Sequence, residues 1–232
     1  MELIWQAVLE AGRLIVSADS ELVEIAGRSL AVSGVATLLA ALVGLPVGAG
    51  LYLGRFPGRQ LVTILVNTGL GLPPVVVGLG ITFLLWRTGP LGALRLLYTP
   101  PAMVLAQFIV AVPIVAGFTR SALGLLDPEL VAALRADGAS EPRAALELAR
   151  AAQAQVLVAV AAGFGRAVAE VGASLMVGGN IVGQTRILTT AIALETGKGE
   201  FALALALGLI LLVLAFLVNA TLAWGNAALA AE

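Results

Sequence analysis

Long apolar runs alternate with short polar connectors along this chain. Five runs approach the about 20 mostly apolar residues that a helix needs to cross a bilayer. They cover 30–53, 61–86, 102–118, 156–177 and 201–224. Backbone inside hydrocarbon must satisfy its own hydrogen bonds, so these runs predict helices and not open strands. Ahead of them, Ile4, Val8, Ala11 and Ile15 share one helical face, and Glu2, Gln6, Glu10 and Arg13 share another. That spacing predicts an amphipathic helix on the membrane surface, with its lead-in, over 1–26. The segment lacks the basic start and small-residue cleavage site of a secretory signal. Ser20, followed by Glu21 and Glu24, predicts a capped helix start. The expected fold class is an all-α integral membrane protein: five transmembrane helices, an N-terminal amphipathic helix and a short tail over 225–232.

The longest polar interruption is 127–153, between the third and fourth runs. Asp127 suits an N-cap, Pro128 the first helical position, and Glu129 the positive end of the helix dipole. Leu130, Val131 and Leu134 form a short apolar stripe. Gly138 suits a left-handed C-terminal turn. Ser140 can cap a second helix carrying Ala145, Leu148, Ala149 and Ala152 on one face. The expectation is a helical hairpin too polar to span. Helices this short are marginal in water alone, so it must pack on its own spans or on a partner.

The spans themselves are irregular. The second holds Asn67, Gly69, Gly71, Pro73 and Pro74, and the third holds Gln107 and Pro113. Proline frees carbonyls that only a neighbour or a wet cavity can satisfy. Pro73 and Pro74 therefore mark a moving or pathway-lining stretch. The fourth run holds Arg166 and Glu170, four apart and so able to pair on one helix face. Charges at membrane depth are costly and face a bundle interior or a cavity. They read either as a structural ion pair or as substrate ligands. Beyond the fourth run, Asn180, Thr185, Arg186, Thr189 and Thr190 form an outer loop region with many backbone donors. Thr189 and Thr190 begin a short helix whose N-terminus would favour an anion. The other reading of this loop is a docking surface for a partner protein.

Composition narrows the function classes. The chain has 232 residues, 60% hydrophobic and 12% charged, against roughly 25% charged in soluble domains. A net charge of -1 offers no basic patch for nucleic acid. The chain has no cysteine and no histidine. That excludes disulfides, thiolate metal sites, histidine proton relays and histidine triads. No metal site is expected. No G-x-x-x-x-G-K-[ST] phosphate loop is present, since Gly197-Lys198-Gly199 lacks the earlier glycine and the following hydroxyl. Arginines are divided between the two sides, so the positive-inside rule gives no clear result over the whole chain. The short connector Arg55–Arg59 and the hairpin favour those two being cytoplasmic, with the N-terminus outside and the C-terminus inside.

Ala132-Ala133-Leu134-Arg135-Ala136-Asp137-Gly138-Ala139-Ser140 resembles the EAA motif of ABC importer permeases, with Ala132 where that family has glutamate. Gly163-Phe164-Gly165-Arg166-Ala167-Val168-Ala169-Glu170-Val171-Gly172-Ala173 is similar to a segment of molybdate and tungstate permeases. The continuations Met176–Ile181 and Thr189–Thr196 look most like the tungstate branch. The resemblance implies a type I importer transmembrane fold over 27–224. It implies a coupling loop carrying Glu129, Ala133, Arg135, Asp137, Gly138, Ala139 and Ser140, seated on an ATPase. It also implies a homodimer in the cytoplasmic membrane lipid, two ABC ATPase subunits inside and a substrate-binding protein outside. The chain would bind no cofactor, the ATP being used by its ATPase partner, and it would catalyse no reaction itself. Its function would be import of an oxyanion, tungstate first and molybdate second, by alternating access. A secondary transporter or channel is the competing class, since broken helices and an intramembrane charge pair occur there too. An intramembrane enzyme lacks any nucleophile–base constellation.

Overall fold

The computed structural model of the chain describes residues 2–17 and 20–229. Among these residues there is no strand, and the helices follow in order. They are α1 (Glu2–Val16), α2 (Ser20–Leu53), α3 (Arg59–Leu70), α4 (Pro74–Leu85), α5 (Pro100–Gly124) and α6 (Pro128–Ala136). A 3₁₀ turn at Gly92–Leu94 lies between α4 and α5. There follow α7 (Glu141–Ala151), α8 (Gln153–Val168), α9 (Gly172–Gly178), α10 (Leu188–Lys198) and α11 (Phe201–Leu229). Three of them, α2, α5 and α11, are long and apolar enough to cross a membrane, or up to five spans exist if two bent pairs each count as one.

The centre of the bundle is α2 packed on α5, and small residues set the distance. A Cβ on Gly48 would lie 2.5 Å from the Ala116 carbonyl oxygen and 2.7 Å from Thr119 Cβ. A Cβ on Gly44 would lie 2.8 Å from Val115 Cβ. Without a hydrophobic drive between helices in lipid, such close backbone approach is what dispersion packing requires. Around this pair, Val77, Ile81, Met103, Val110 and Val177 bury the α4–α5–α9 contact. Leu22, Ile25, Leu188, Leu207 and Ile210, with Ala11 of α1, bury another.

Several boundaries differ from the sequence expectation. The helix start expected at Ser20 is that of α2, which runs unbroken into the apolar run ten residues on. The first span and its lead-in are therefore one helix, with Leu22 and Ile25 giving its polar start a buried face. The stretch 61–86 is not one rod: the chain bends by 109° between α3 and α4. Pro74 opens α4, and Pro73, with φ -65° and ψ 122°, is extended. A residue before proline is pushed out of the helical region, which sets the break there. The Pro73 carbonyl accepts from the N–H groups of Val76 and Val77, and Gly69 sits against the Pro113 ring. The stretch 156–177 is also two pieces, since α8 ends at Val168 and α9 starts at Gly172. The expected tail begins as helix, α11 running to Leu229, and 230–232 lie outside the described residues.

Candidate functional site

At one end of the bundle, α6 and α7 form a helical hairpin. Asp127 caps α6, its carboxylate accepting from Glu129 N–H at 2.9 Å. Gly138 takes φ 74°, and Ala139 N–H then donates to Leu134 O while Gly138 N–H donates to Arg135 O. This left-handed closure satisfies carbonyls that the end of α6 would leave unpaired. Ser140 precedes α7 but makes no side-chain capping bond. The second helix docks through Ala144, Leu148 and Ala152, buried against Ala49, Leu53 and Leu123. No residue of α6 is buried. Glu129, Ala133, Asp137 and Gly138 are exposed. Arg135 fastens the hairpin: its guanidinium donates to the Leu53 carbonyl at 3.1 Å and to Glu141 at 3.4 Å. The hairpin thus joins the ends of α2 and α5 and presents an outer surface of its own.

Deeper in the bundle, Arg166 donates to Glu170 Oε2 at 3.0 Å. The Glu170 side chain is 1% exposed and that of Arg166 28%. Glu170 lies past the end of α8, in the break before α9. Its other oxygen accepts from Ala173 N–H at 2.8 Å, so it caps α9. Thr189 donates to the Glu170 carbonyl at 3.0 Å. Three elements therefore converge on one carboxylate residue. Gly172 allows the break to sit close to α4, since a Cβ there would lie 2.9 Å from Val75 Cγ2. Gln107 of α5, fully buried, donates to Ser174 of α9 at 3.2 Å. Ser174 carries no sequence signal of its own, being one small polar residue in an apolar run.

At the opposite end from the hairpin, 178–190 folds back on α2. Arg28 donates to the Arg186 carbonyl at 2.8 Å, and Ser29 accepts from Leu188 N–H at 2.8 Å. Arg186 pairs with Glu21 at 3.1 Å. The five loop residues do not gather at the surface as the sequence suggested. Thr185 is fully buried, donating to Gly178 O and accepting from Ile181 N–H. Thr189 and Thr190 are buried as well. Thr190 accepts from Ile187 N–H at 3.1 Å. Side chains of Thr190 and Ser29 thus take up the Ile187 and Leu188 donors at the start of α10. Asn180, at φ 52°, is half-buried, and 181–184 stay exposed. The burial of these hydroxyls carries no signal in the sequence, because short polar side chains look alike whether they face solvent or close a backbone turn.

A family model described as binding-protein-dependent transport system inner membrane component matches residues 37–229. A protein of Haloferax volcanii named as an anion ABC transporter permease is 43% identical over 204 residues, covering 86% of this chain and 88% of its own. The tungstate uptake system permease protein TupB of Peptoclostridium acidaminophilum is 36% identical over 222 residues, covering 96% of this chain and 97% of its own. Among solved structures, an inward-facing form of the MetNI methionine ABC transporter matches with a TM-score of 0.75 at 21% identity. That match covers 91% of this chain and 97% of the other. The fold is therefore the type I importer transmembrane fold.

Proposed function

The chain belongs to the binding-protein-dependent transport system inner membrane component family, and from that premise we propose that it imports tungstate, with molybdate second. It is the multi-pass permease subunit of an ABC importer, a class that works with an ATPase and a substrate-binding protein. The observation that carries the coupling role is the hairpin. It is capped at Asp127, closed at Gly138, exposed along α6, and held to the end of α2 by Arg135. A surface that is rigid and exposed, yet tied to two spans, can transmit force from a cytoplasmic ATPase. Two copies about a two-fold axis enclose one pathway, because five spans are few to do so alone. Closure of an ATP-bound ATPase dimer draws the two hairpins together and tilts the spans they hold. The ATPase supplies the differential energy between inward-open and outward-open states.

Orientation follows from the same assignment. The hairpin end is cytoplasmic, the N-terminus lies outside and the C-terminus inside. The 178–187 end then faces the binding protein, with exposed 181–184 as its contact. Arg166 and Glu170 hold α8 and α9 in register, and Pro73–Pro74 bends the neighbouring span beside them. The substrate class rests on relatives whose names specify tungstate uptake and anion ABC transport and whose similarity covers 96% and 86% of this chain.

The test is uptake by cells with and without this gene, comparing tungstate, molybdate and sulfate. Tungstate accumulation should depend on the gene and on a co-expressed ATPase subunit. Uptake that persists without any ATPase subunit rules out the coupled mechanism.

A further inference from the structure

The hairpin end carries more positive charge than it neutralises. A cavity of about 560 Å³ is lined by Arg55, Phe56, Arg59, Gln60, Thr63 and Arg120. A second, of about 420 Å³, shares Arg55 and Arg59 and reaches Arg135 on the hairpin. Among the described residues, no carboxylate lies within ion-pair distance of Arg55, Arg59 or Arg120. Of the carboxylates on the hairpin, Glu141 pairs with Arg135 and Glu147 with Arg150, while Asp127 caps α6 through Glu129 N–H and Glu129 and Asp137 are exposed. Arg59 is also aimed: its Nε donates to the Leu51 carbonyl at 2.9 Å, which fixes the guanidinium plane and leaves its other nitrogens free to donate elsewhere. Arg59 and Arg120 are half-buried, so water screens them less than it screens surface charges.

We propose that Arg55, Arg59 and Arg120 form a binding site for a tetrahedral oxyanion at the hairpin end of the bundle. Guanidinium groups donate in a planar fork that matches the oxygens of such an anion. Thr63 and Gln60 add neutral polar groups to the wall. The ligand is a free oxyanion or the phosphodiester of an anionic lipid, which present the same oxygens. Because Arg55 and Arg59 line both cavities, an anion held there sits beside α6. The site stands on the chemistry of the pocket; only tungstate as a probe rests on the proposed substrate.

The experiment uses the full chain in nanodiscs of phosphatidylcholine, with no ATPase present, so it is independent of transport. Tungstate binding is measured by equilibrium dialysis at low salt, with sulfate as competitor. The comparison is wild type against the double variant Arg55→Gln, Arg120→Gln, with Arg120→Lys as a charge-keeping control. Parallel discs containing phosphatidylglycerol are analysed for lipid retained by the protein. At least tenfold weaker tungstate binding in the double variant, with affinity largely kept in the lysine control, identifies a free-anion site. Retention of phosphatidylglycerol by wild type and its loss in the double variant, without tungstate binding, identifies a lipid phosphate site. If wild type and double variant treat both ligands alike, the site does not exist. Circular dichroism and monodisperse elution of each variant establish that a loss of binding is not a loss of fold.

Discussion

Arg166 and Glu170 are joined at 3.0 Å across the end of a helix, not along one. The carboxylate has two tasks, since it also accepts from Ala173 N–H and so begins α9. A charge swap is therefore expected to fail. Arg166→Glu with Glu170→Arg keeps the pair of signs, but arginine has no acceptor for the Ala173 donor. Glu170→Ala should cost about 3 kcal/mol, as removal of one partner of a buried pair does, at the lower end because Arg166 is partly exposed. Glu170→Gln, which keeps an acceptor, should cost less. Thermal melting of the purified chain in detergent ranks the variants. A swap that melts like wild type would show that sign alone matters and that the cap does not.

Gly138 closes the hairpin at φ 74°. A side chain in that conformation costs roughly 1–2 kcal/mol, so Gly138→Ala should loosen the turn and Gly138→Asn should be the milder change. Gly138→Pro cannot reach a positive φ and also loses the donor to Arg135 O. Membrane insertion should survive, because the turn lies outside the spans. Uptake should fall at least tenfold in the proline variant while ATP hydrolysis by the assembled complex continues. Normal uptake in that variant would remove the coupling assignment.

Arg135 reaches from α6 to the Leu53 carbonyl. Its side chain is 40% exposed, so the bond contributes little to global stability, about 1 kcal/mol. Its effect should be local. Arg135→Ala is expected to speed amide exchange and trypsin cleavage across 128–151 while the melting temperature moves by only a few degrees. Lysine should restore part of the protection, since it supplies a donor but no fork. Unchanged exchange in the hairpin would mean that the buried Leu148 contact alone holds it.

How much of this was legible in the sequence depended on the range of the interactions. The hairpin was readable because its signals are local: a cap, a glycine at the turn, and an apolar stripe in each helix. The 3.6-residue period of α1 was equally local. The break between α3 and α4 was announced by Pro73 and Pro74, though not its angle. The break after Val168 was not readable. It depends on Glu170 turning back to Ala173 and on Thr189, nineteen residues on, holding the Glu170 carbonyl. An i, i+4 spacing of opposite charges suggested one continuous helix face instead. The burial of Thr185, Thr189 and Thr190 was hidden for the same reason, since a hydroxyl's partner is set by tertiary folding.

The glycines of α2 separate packing from propensity. Gly48 faces Ala116 and Thr119 so closely that an added Cβ meets backbone oxygen at 2.5 Å. That atom cannot swing aside like a side-chain tip, so α2 and α5 must part. Gly48→Ala is expected to cost about 1–3 kcal/mol and to lower yield of folded protein. Gly34 lies in the same helix with nothing within 4 Å of an added Cβ. There the change to alanine adds only helix propensity, a gain of up to about 1 kcal/mol. The two variants should therefore move the melting temperature of the purified chain in opposite directions, although their hydropathy changes are the same. Equal shifts would mean that the α2–α5 distance is not set by Gly48, and that the two helices are held by lipid and by α8 instead.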